Sequence, residues 1–331
     1  MDVSKQMKDY VYTGPLAHPI SCFLKDMRLS GRIYNSEGNQ LRRIDEMSIA
    51  MGCPENCLTR EIVEQWTNKR EYECHKTWAN RTIVIRQLAR YMNSHGFTAY
   101  ETPVVIQNKP SDFVPYIYSD AELSRIFTAA DSLPSFTHCP NRGAVMSLIF
   151  RLIYGCGLRI SEALSLKMKD VDLDNGILAI LESKFEKSRY VPMAPALTER
   201  CKKYVQATRK NTCPEDWFFP APDGSQYSRK TIEQTFRRLL FEAGIPHTGR
   251  RPRVHDFRHT FAVHCLKKWV IAGNDISTML PVLSAYLGHK DLKGTQQYLR
   301  LTADMYPNIT DSIERQFGST NRFNSYGNKV L

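Results

Sequence analysis

The sequence lacks the features that place a protein in or across a membrane. Its 331 residues contain no apolar run long enough for a membrane-spanning helix, which needs about 18 residues. The first residues, Met1 to Lys5, are polar and lack the apolar centre of a secretory signal peptide. We therefore expect a cytoplasmic protein with no membrane partner.

A disulfide framework is also absent, because the nine cysteines are odd in number and irregularly scattered. Cys53, Cys57 and Cys74 with His75 leave open a zinc-stabilised binding module, which metal analysis of the purified protein would reveal. Adjacent Cys74 and His75, however, would have difficulty aiming both side chains at one ion. We expect reduced thiols and no bound metal.

Motifs that bind nucleotides or hydrolytic metals are missing too. The chain has no glycine-rich phosphate loop, no dinucleotide-binding glycine pattern, no Cys-x-x-Cys pair and no His-Glu-x-x-His. We therefore expect chemistry carried by the side chains themselves, without a cofactor.

What the chain does have is positive charge, unevenly distributed. Its net charge is +11 and its pI is about 9.2. Residues 1–115 hold 15 Lys and Arg against 13 Asp and Glu, or +2, so the remainder holds 45 − 15 = 30 against 34 − 13 = 21, or +9. A basic C-terminal two-thirds fits a polyanionic partner such as DNA.

Composition and periodicity divide the chain into five segments. The first is an N-terminal extension of unclear structure (1–57), with little regular structure expected before residue 42. It is followed by a helical domain (58–101), a proline-rich linker (102–117), a second domain (118–317) and a flexible polar tail (318–331). In the helical domain Arg81, Arg86 and Arg90 lie near one face, where they either contact DNA or form a solvated basic surface.

The second domain is predicted to be mostly helical. Ser119 and Glu122 form a capping box that opens a helix ending near Asp131, and an apolar stripe over 145–153 predicts a buried helix. Short β-rich runs at 176–181 and 188–193 surround a polar turn and predict a hairpin. Further helical patterns cover 196–208, 229–244, 256–270, 276–287 and 291–301. The fold class is therefore mainly α (α+β).

Four short segments of this domain concentrate basic and phenolic residues. In GCGLRISE, Arg159 opens a helix after two glycines, three residues before Glu162. A salt bridge between these two alone would explain them. At the hairpin turn, Lys184 can reach into a groove, although such a lysine is more often solvated.

The other two segments add histidines and a tyrosine. His255 and Arg258 are three apart at a helix start and share a face, an arrangement that suits phosphate chemistry. His289 follows a Leu-Gly turn, and Tyr298 comes nine residues later on the next helix. Taken singly, each of these residues has an ordinary structural explanation.

Together and in this order, the four segments resemble the tyrosine recombinase (phage integrase-type) family. The matching features are the Arg of GLRISE, Lys184 eight residues before Pro192, the HxxRHTF run, and LGH followed by Tyr298. The resemblance covers 119–305, and 58–97 is similar to the family's core-binding domain in size and placement only. The long stretch between the HxxRHTF and LGH motifs resembles recombinases carried on transposons.

The resemblance implies a two-domain enzyme in which Tyr298 attacks DNA and forms a 3′-phosphotyrosyl link. A phenol with a pKa of about 10 needs help to attack at neutral pH, and His255 is the implied proton acceptor. Lys184 is the implied acid for the leaving 5′-oxygen, with Lys187 as the alternative.

The remaining implied roles are electrostatic. Arg159 and Arg258 would hold the non-bridging phosphate oxygens with paired donors, and His289 would add another donor. Glu162 would orient His255 or Arg159. The implied partners are double-stranded recombination sites and further copies of the chain. These copies would form a tetramer on DNA, with a C-terminal helix near 308–317 docking on a neighbour.

Two other functions stay open at this point. A type IB-like topoisomerase uses similar chemistry and would relax a plasmid that lacks any specific site. A catalytically inactive DNA-binding accessory protein would bind DNA without cutting it, since a fold alone does not imply activity.

Overall fold

The computed structural model describes residues 8–106, 114–183, 187–209, 212–246, 252–289 and 291–306, apart from the side chains of 182, 183, 187, 293 and 303–305. The chain divides into two compact units, Met1–Asp112 and Phe113–Leu331. The division falls inside the segment predicted as a linker, 102–117. The segments predicted at 308–317 and 318–331 lie outside the described residues.

The first unit is helical, with one short pair of parallel strands. Its elements are α1 (Ala17–Leu29), α2 (Asn35–Ala50), β1 (Cys57–Leu58), α3 (Arg60–Thr67), α4 (His75–Ser94) and β2 (Thr98–Ala99). Thr59 begins α3, because its side chain accepts a hydrogen bond from the backbone N–H of Ile62. Gly96 takes a left-handed φ of 81° just after α4, a conformation that favours glycine at a helix end.

The prediction of little regular structure before residue 42 is wrong, because α1 and the first half of α2 lie there. Their apolar side chains enter the same buried core as those of α3 and α4. Asp45 of α2, 2% exposed, holds the chain entering α1. Its carboxylate accepts backbone N–H groups from Thr13, Gly14 and Leu16. The described part of this segment, residues 8–57, therefore contributes to the core rather than extending from it.

The second unit is mostly helical, with a three-stranded antiparallel sheet. It comprises α5 (Asp120–Asp131), α6 (Arg142–Gly155), α7 (Ile160–Leu164), a 3₁₀ turn (Met168–Asp170), β3 (Val171–Asp172), β4 (Ile177–Ser183), β5 (Lys187–Pro192), α8 (Pro195–Thr208), α9 (Arg229–Glu242), α10 (Asp256–Ile271), α11 (Ile276–Leu287) and α12 (Lys293–Met305). The strand order is β3-β4-β5, with Ile177 opposite Pro192 and Ile180 opposite Arg189.

Several sequence predictions for this unit are confirmed. The Ser119–Glu122 capping box is present in both directions at the start of α5. The predicted hairpin is β4–β5, to which β3 adds a third strand. The five later helical patterns correspond to α8 through α12. The mainly α fold class is therefore confirmed.

Helix α10 lies between two buried clusters, and this fixes the start of the helix. Phe257 packs with Phe150 and Phe236 in the larger cluster. Ala262 and Leu266 belong to a second cluster, which α10 forms with α11 and α12. A helix buried on both sides has little freedom to shift, so side chains in its first turn have well-defined positions.

None of the helices in the described ranges has the length and apolar character that crossing a lipid bilayer requires.

Candidate active site

Arg258, in the first turn of α10, is a buried cation anchored by two carbonyl groups. Its side chain is 2% exposed. Nη1 donates to the carbonyl of Gly157 at 2.7 Å and Nη2 to that of Leu287 at 2.5 Å. Burial and the neighbouring charge of Arg159 lower the pKa of Arg258 to about 10, which leaves it cationic at neutral pH. The arginine thus joins the ends of α6 and α11 to α10.

Two glycine turns present these carbonyls. Gly157 has a φ of 58°, and a Cβ there would lie 2.6 Å from Phe261. Gly288 ends α11 with a φ of 67°, and a Cβ there would lie 2.8 Å from Nη1 of Arg189. Both positions combine a left-handed backbone with close packing, so only glycine fits without strain. The glycines of the GLRISE and LGH motifs therefore shape the surroundings of the arginines.

Glu162, in α7, is the carboxylate at the centre of this cluster. It accepts the backbone N–H of Arg159 at 2.9 Å and Nη1 of the same residue at 2.6 Å. Arg189 of β5 donates Nη1 and Nη2 to its two oxygens at 3.0 and 2.9 Å. Burial opposes ionisation of Glu162, but the hydrogen bonds and charges of Arg189 and Arg159 outweigh it and lower the pKa. The cluster joins one carboxylate to several guanidinium groups.

Arg159 also reaches the turn after α11. Its Nη1 pairs with Glu162, while its Nη2 donates to the carbonyl of Gly288 at 3.0 Å. The carboxylate of Glu162 also lies 3.9 Å from Nη1 of Arg258. The predicted residues Arg159, Glu162 and Arg258 are therefore brought together, as three separate segments converge on one point.

Tyr298, in α12, is buried, and its hydroxyl is held by a histidine. The side chain is 1% exposed, and the hydroxyl lies 3.0 Å from Nδ1 of His259. Burial raises the pKa of Tyr298, and the charges of Arg258 and Arg159 partly offset that increase. The ring packs in the apolar cluster of α10–α12, while the hydroxyl contacts a polar group of the HxxRHTF run.

His255 and His289 lie on either side of this pair. The His255 ring is 4.9 Å from the His259 ring, and the His289 ring stacks at 6.1 Å on Tyr298. His289 Nδ1 is 2.6 Å from the hydroxyl of buried Thr295. Desolvation and nearby positive charges, Arg258 foremost, lower the pKa of both His255 and His289 to about 4. Both imidazoles are therefore neutral at neutral pH.

Of the predicted catalytic residues, Lys184 lies outside the described residues, as does the side chain of the alternative, Lys187. The others converge as set out above. Sequence reasoning missed Arg189 and His259. His259 stands in the HxxRHTF run beside Arg258, so its position in that motif was the available signal, whereas nothing local distinguished Arg189 from the other basic residues of the turn.

The three arginines predicted to contact DNA differ widely in exposure. Arg81 is buried: it pairs with Glu73 at 2.7 Å and donates to the carbonyl of Asn68. It therefore stabilises the first unit, and its assignment to a DNA surface is corrected. Arg86 donates to the carbonyl of Val104 and is half-buried. Arg90 is exposed and pairs with Glu101 at 2.6 Å.

The cysteines of the zinc alternative have other neighbours. Cys53 lies near the Thr59 hydroxyl, and Cys74 near that of Thr77. In the part of the chain that the structure describes, no group of three or more His, Cys, Asp or Glu side chains is arranged to hold a metal ion.

Comparison with known proteins identifies the family of the chain. Residues 119–305 match the phage integrase family. A protein named as an integrase/recombinase in Sinorhizobium fredii is 30% identical over 267 residues, which cover 78% of this chain and 85% of the relative. Tyrosine recombinase XerA of Pyrococcus furiosus is 32% identical over 51% of this chain and 53% of its own.

A solved structure shares the fold. The Tn1549 transposon integrase, in complex with circular intermediate DNA, superposes with a TM-score of 0.58 and 17% identity, over 85% of this chain and 94% of that one. These matches define the class of protein: it is a tyrosine recombinase, an enzyme of site-specific recombination. A buried arginine–glutamate cluster beside a tyrosine of a late helix is consistent with that class. The chain belongs to the phage integrase family.

Proposed function

We propose that this chain cuts and rejoins double-stranded DNA at specific sites through a 3′-phosphotyrosyl bond to Tyr298, in the integration and excision of a mobile element. The observation that carries the proposal is the position of the Tyr298 hydroxyl, 3.0 Å from Nδ1 of His259. His259 is the residue next to Arg258 in α10. The net charge of +11 favours a polyanionic substrate. Similarity to a transposon integrase solved with DNA supports the mobile-element role.

In cleavage, the phenolic oxygen of Tyr298 attacks the scissile phosphorus and the 5′-oxygen of the next nucleotide leaves. His255 takes the phenolic proton. Its pKa of about 4 makes it a weak base in the free enzyme, but a phosphodiester bound nearby adds negative charge and raises the pKa of an imidazole. His259 contacts the hydroxyl and holds it in the resting arrangement.

Arg159 and Arg258 stabilise the negative charge that builds on the non-bridging oxygens. Each uses terminal nitrogens to bond protein carbonyls or Glu162. A guanidinium carries five N–H donors, so this anchoring is compatible with donation to a phosphate. Anchored donors need no reorganisation during the reaction, and His289 contributes one more.

Lys184 protonates the leaving 5′-oxygen, because an alkoxide is too basic to depart readily at neutral pH. The spacing from Lys184 to Pro192 is the basis for choosing it over Lys187. The phosphotyrosyl bond retains the free energy of the broken phosphodiester, so rejoining needs only the reverse transesterification by a 5′-hydroxyl.

The burial of Tyr298 implies a resting state. With the side chain 1% exposed, a phosphodiester cannot approach its hydroxyl in this arrangement. We propose that α12 shifts on DNA to bring the hydroxyl in line with the phosphorus. Exchange between two duplexes requires four strand cuts, which fits a tetramer on DNA, with 308–317 docking on a neighbouring copy and Arg86 and Arg90 contacting DNA.

The test uses a nicked DNA duplex that carries the junction of the element's ends, so that cleavage traps the covalent complex. Tyr298→Phe should abolish the complex and leave DNA binding intact, whereas Tyr306→Phe, the matched control just after α12, should retain it. An unchanged covalent yield in Tyr298→Phe would refute the proposal. Relaxation of a plasmid that lacks the site would instead favour a topoisomerase.

The two histidines of α10 can be separated in the same assay. If His255 is the proton acceptor, His255→Gln should slow cleavage more than His259→Gln does. The reverse order would assign proton transfer to His259, whose Nδ1 contacts the hydroxyl directly.

A further inference from the structure

Arg189 joins three segments of the second unit through one buried side chain. Its guanidinium, 9% exposed, pairs with both oxygens of Glu162 at 3.0 and 2.9 Å. Its Nε donates to the carbonyl of Tyr286 at 2.7 Å. Strand β5 is thereby fixed to α7 and to the last turn of α11, which are distant from it in sequence.

The pairing determines how much positive charge the cluster retains. A buried carboxylate needs a cationic partner, because an isolated charge away from water is costly. Among the groups that lower the pKa of Glu162, Arg189 with its two hydrogen bonds has the largest effect, ahead of Arg159. Because Glu162 shares its negative charge between Arg189 and Arg159, it does not fully neutralise the positive charge of Arg159.

The turn after α11 packs against the same guanidinium. Gly288 leaves no Cβ, which would lie 2.8 Å from Nη1 of Arg189, and its carbonyl accepts Nη2 of Arg159 at 3.0 Å. Displacing Arg189 would therefore disturb both the carboxylate that orients Arg159 and the turn that anchors it.

We infer that Arg189 is a positioning residue for DNA cleavage: it neutralises Glu162 so that Arg159 keeps its charge and orientation for the scissile phosphate. The inference rests on the proposed cleavage through Tyr298. Because Arg189 lies five residues after Lys184 in the sequence, it also ties the strand that follows the proposed acid to the arginine cluster.

The experiment compares Arg189→Gln, Arg189→Lys, Glu162→Gln and the double variant Arg189→Gln/Glu162→Gln. Single-turnover formation of the covalent complex and DNA affinity are both measured. Arg189→Gln should slow complex formation by about 10- to 100-fold, the range for groups that orient a reactive residue, with DNA affinity nearly unchanged. Arg189→Lys keeps the positive charge but loses the paired N–H donors of the guanidinium, so its rate of complex formation should lie between those of Arg189→Gln and wild type.

The double variant tests whether Arg189 acts through Glu162. Removing both charges leaves no unpaired carboxylate, so its rate should match that of Glu162→Gln alone. Independent effects that multiply would overturn the inference, as would an Arg189→Gln rate close to wild type. Arg151→Gln is the matched control, because Arg151 makes a similar bidentate pair with Asp131 and should leave the rate unchanged.

A neutral substrate separates a charge effect from general damage. A methylphosphonate at the scissile position replaces one charged oxygen with a methyl group. Cleavage of this neutral substrate therefore depends less on the charge of Arg159. The rate loss in Arg189→Lys and Arg189→Gln should shrink on this substrate, whereas an equal loss on both substrates would overturn the inference. Tyr298→Phe, run in parallel, reports separately on the proposed cleavage itself.

Discussion

The hydrogen bond between His259 and Tyr298 should be measurable in the stability of the DNA-free protein. In His259→Leu the Tyr298 hydroxyl, 1% exposed, loses its hydrogen bond of 3.0 Å to Nδ1 of residue 259. The loss of one buried hydrogen bond costs about 0.5–1.5 kcal/mol. For a unit of this size, each kcal/mol lowers Tm by about 2–4 °C. We therefore expect a clear decrease in Tm.

A double-mutant cycle isolates the bond from the change in side-chain volume. The variants are His259→Leu, Tyr298→Phe and their combination, measured by calorimetry of the full chain. In the double variant no hydroxyl remains to be satisfied, so the coupling should be about 1 kcal/mol. A coupling below about 0.3 kcal/mol, which is the additivity expected of independent sites, would refute the resting arrangement of the nucleophile.

Three further predictions follow from the site. Burial, the neighbouring imidazole of His255 and the positive charge of Arg258 lower the pKa of His259 to about 3, below its unfolded value of about 6.5. The unfolded chain therefore binds the extra proton, and stability should fall as pH drops from 6.5 towards 4. His259→Gln should flatten this slope by up to about 1.4 kcal/mol per pH unit in urea denaturation. Lys184→Ala should slow cleavage of ordinary DNA but spare a substrate with a 5′-bridging sulfur, because a thiolate leaves without an acid; equal losses would make Lys184 positional. Gly157→Ala should destabilise the protein by more than about 1 kcal/mol, because Gly157 has a φ of 58° and the added Cβ would lie 2.6 Å from Phe261. Gly273→Ala should cost less, because Gly273 also has a positive φ but its Cβ position is surrounded by open space. Equal Tm values for the two variants would contradict the packing argument.

Features of the fold that depend on residues close together in the sequence could be predicted. The capping box at Ser119 and the helices after residue 195 follow from local spacing, and the structure contains them. The motif residues Arg159 and Arg258 both lie near Glu162. The helices and the capping box could be predicted because local periodicity and spacing carry their own information.

Long-range partners could not be predicted in this way. Arg189 contacts Glu162 across 27 residues and Tyr286 across 97, and nothing local marks those pairs. Arg81 looked like part of a basic helix face, but the preceding loop folds Glu73 onto it.

The first two helices were missed for a related reason. The glycines of 1–57 and the short apolar pieces there resemble a loop. The stabilising contact is Asp45, which binds the backbone before α1 from 29 to 32 residues away. Such tertiary contacts override weak local propensity.

The central claim is tested most directly by identifying the amino acid that is linked to DNA. Trypsin should release residues 294–300, in which Tyr298 is the sole tyrosine, and mass spectrometry of the nuclease-trimmed complex should find a nucleotide attached to that peptide through its 3′-phosphate. A nucleotide on any other peptide, or a link through a 5′-phosphate, would contradict the account.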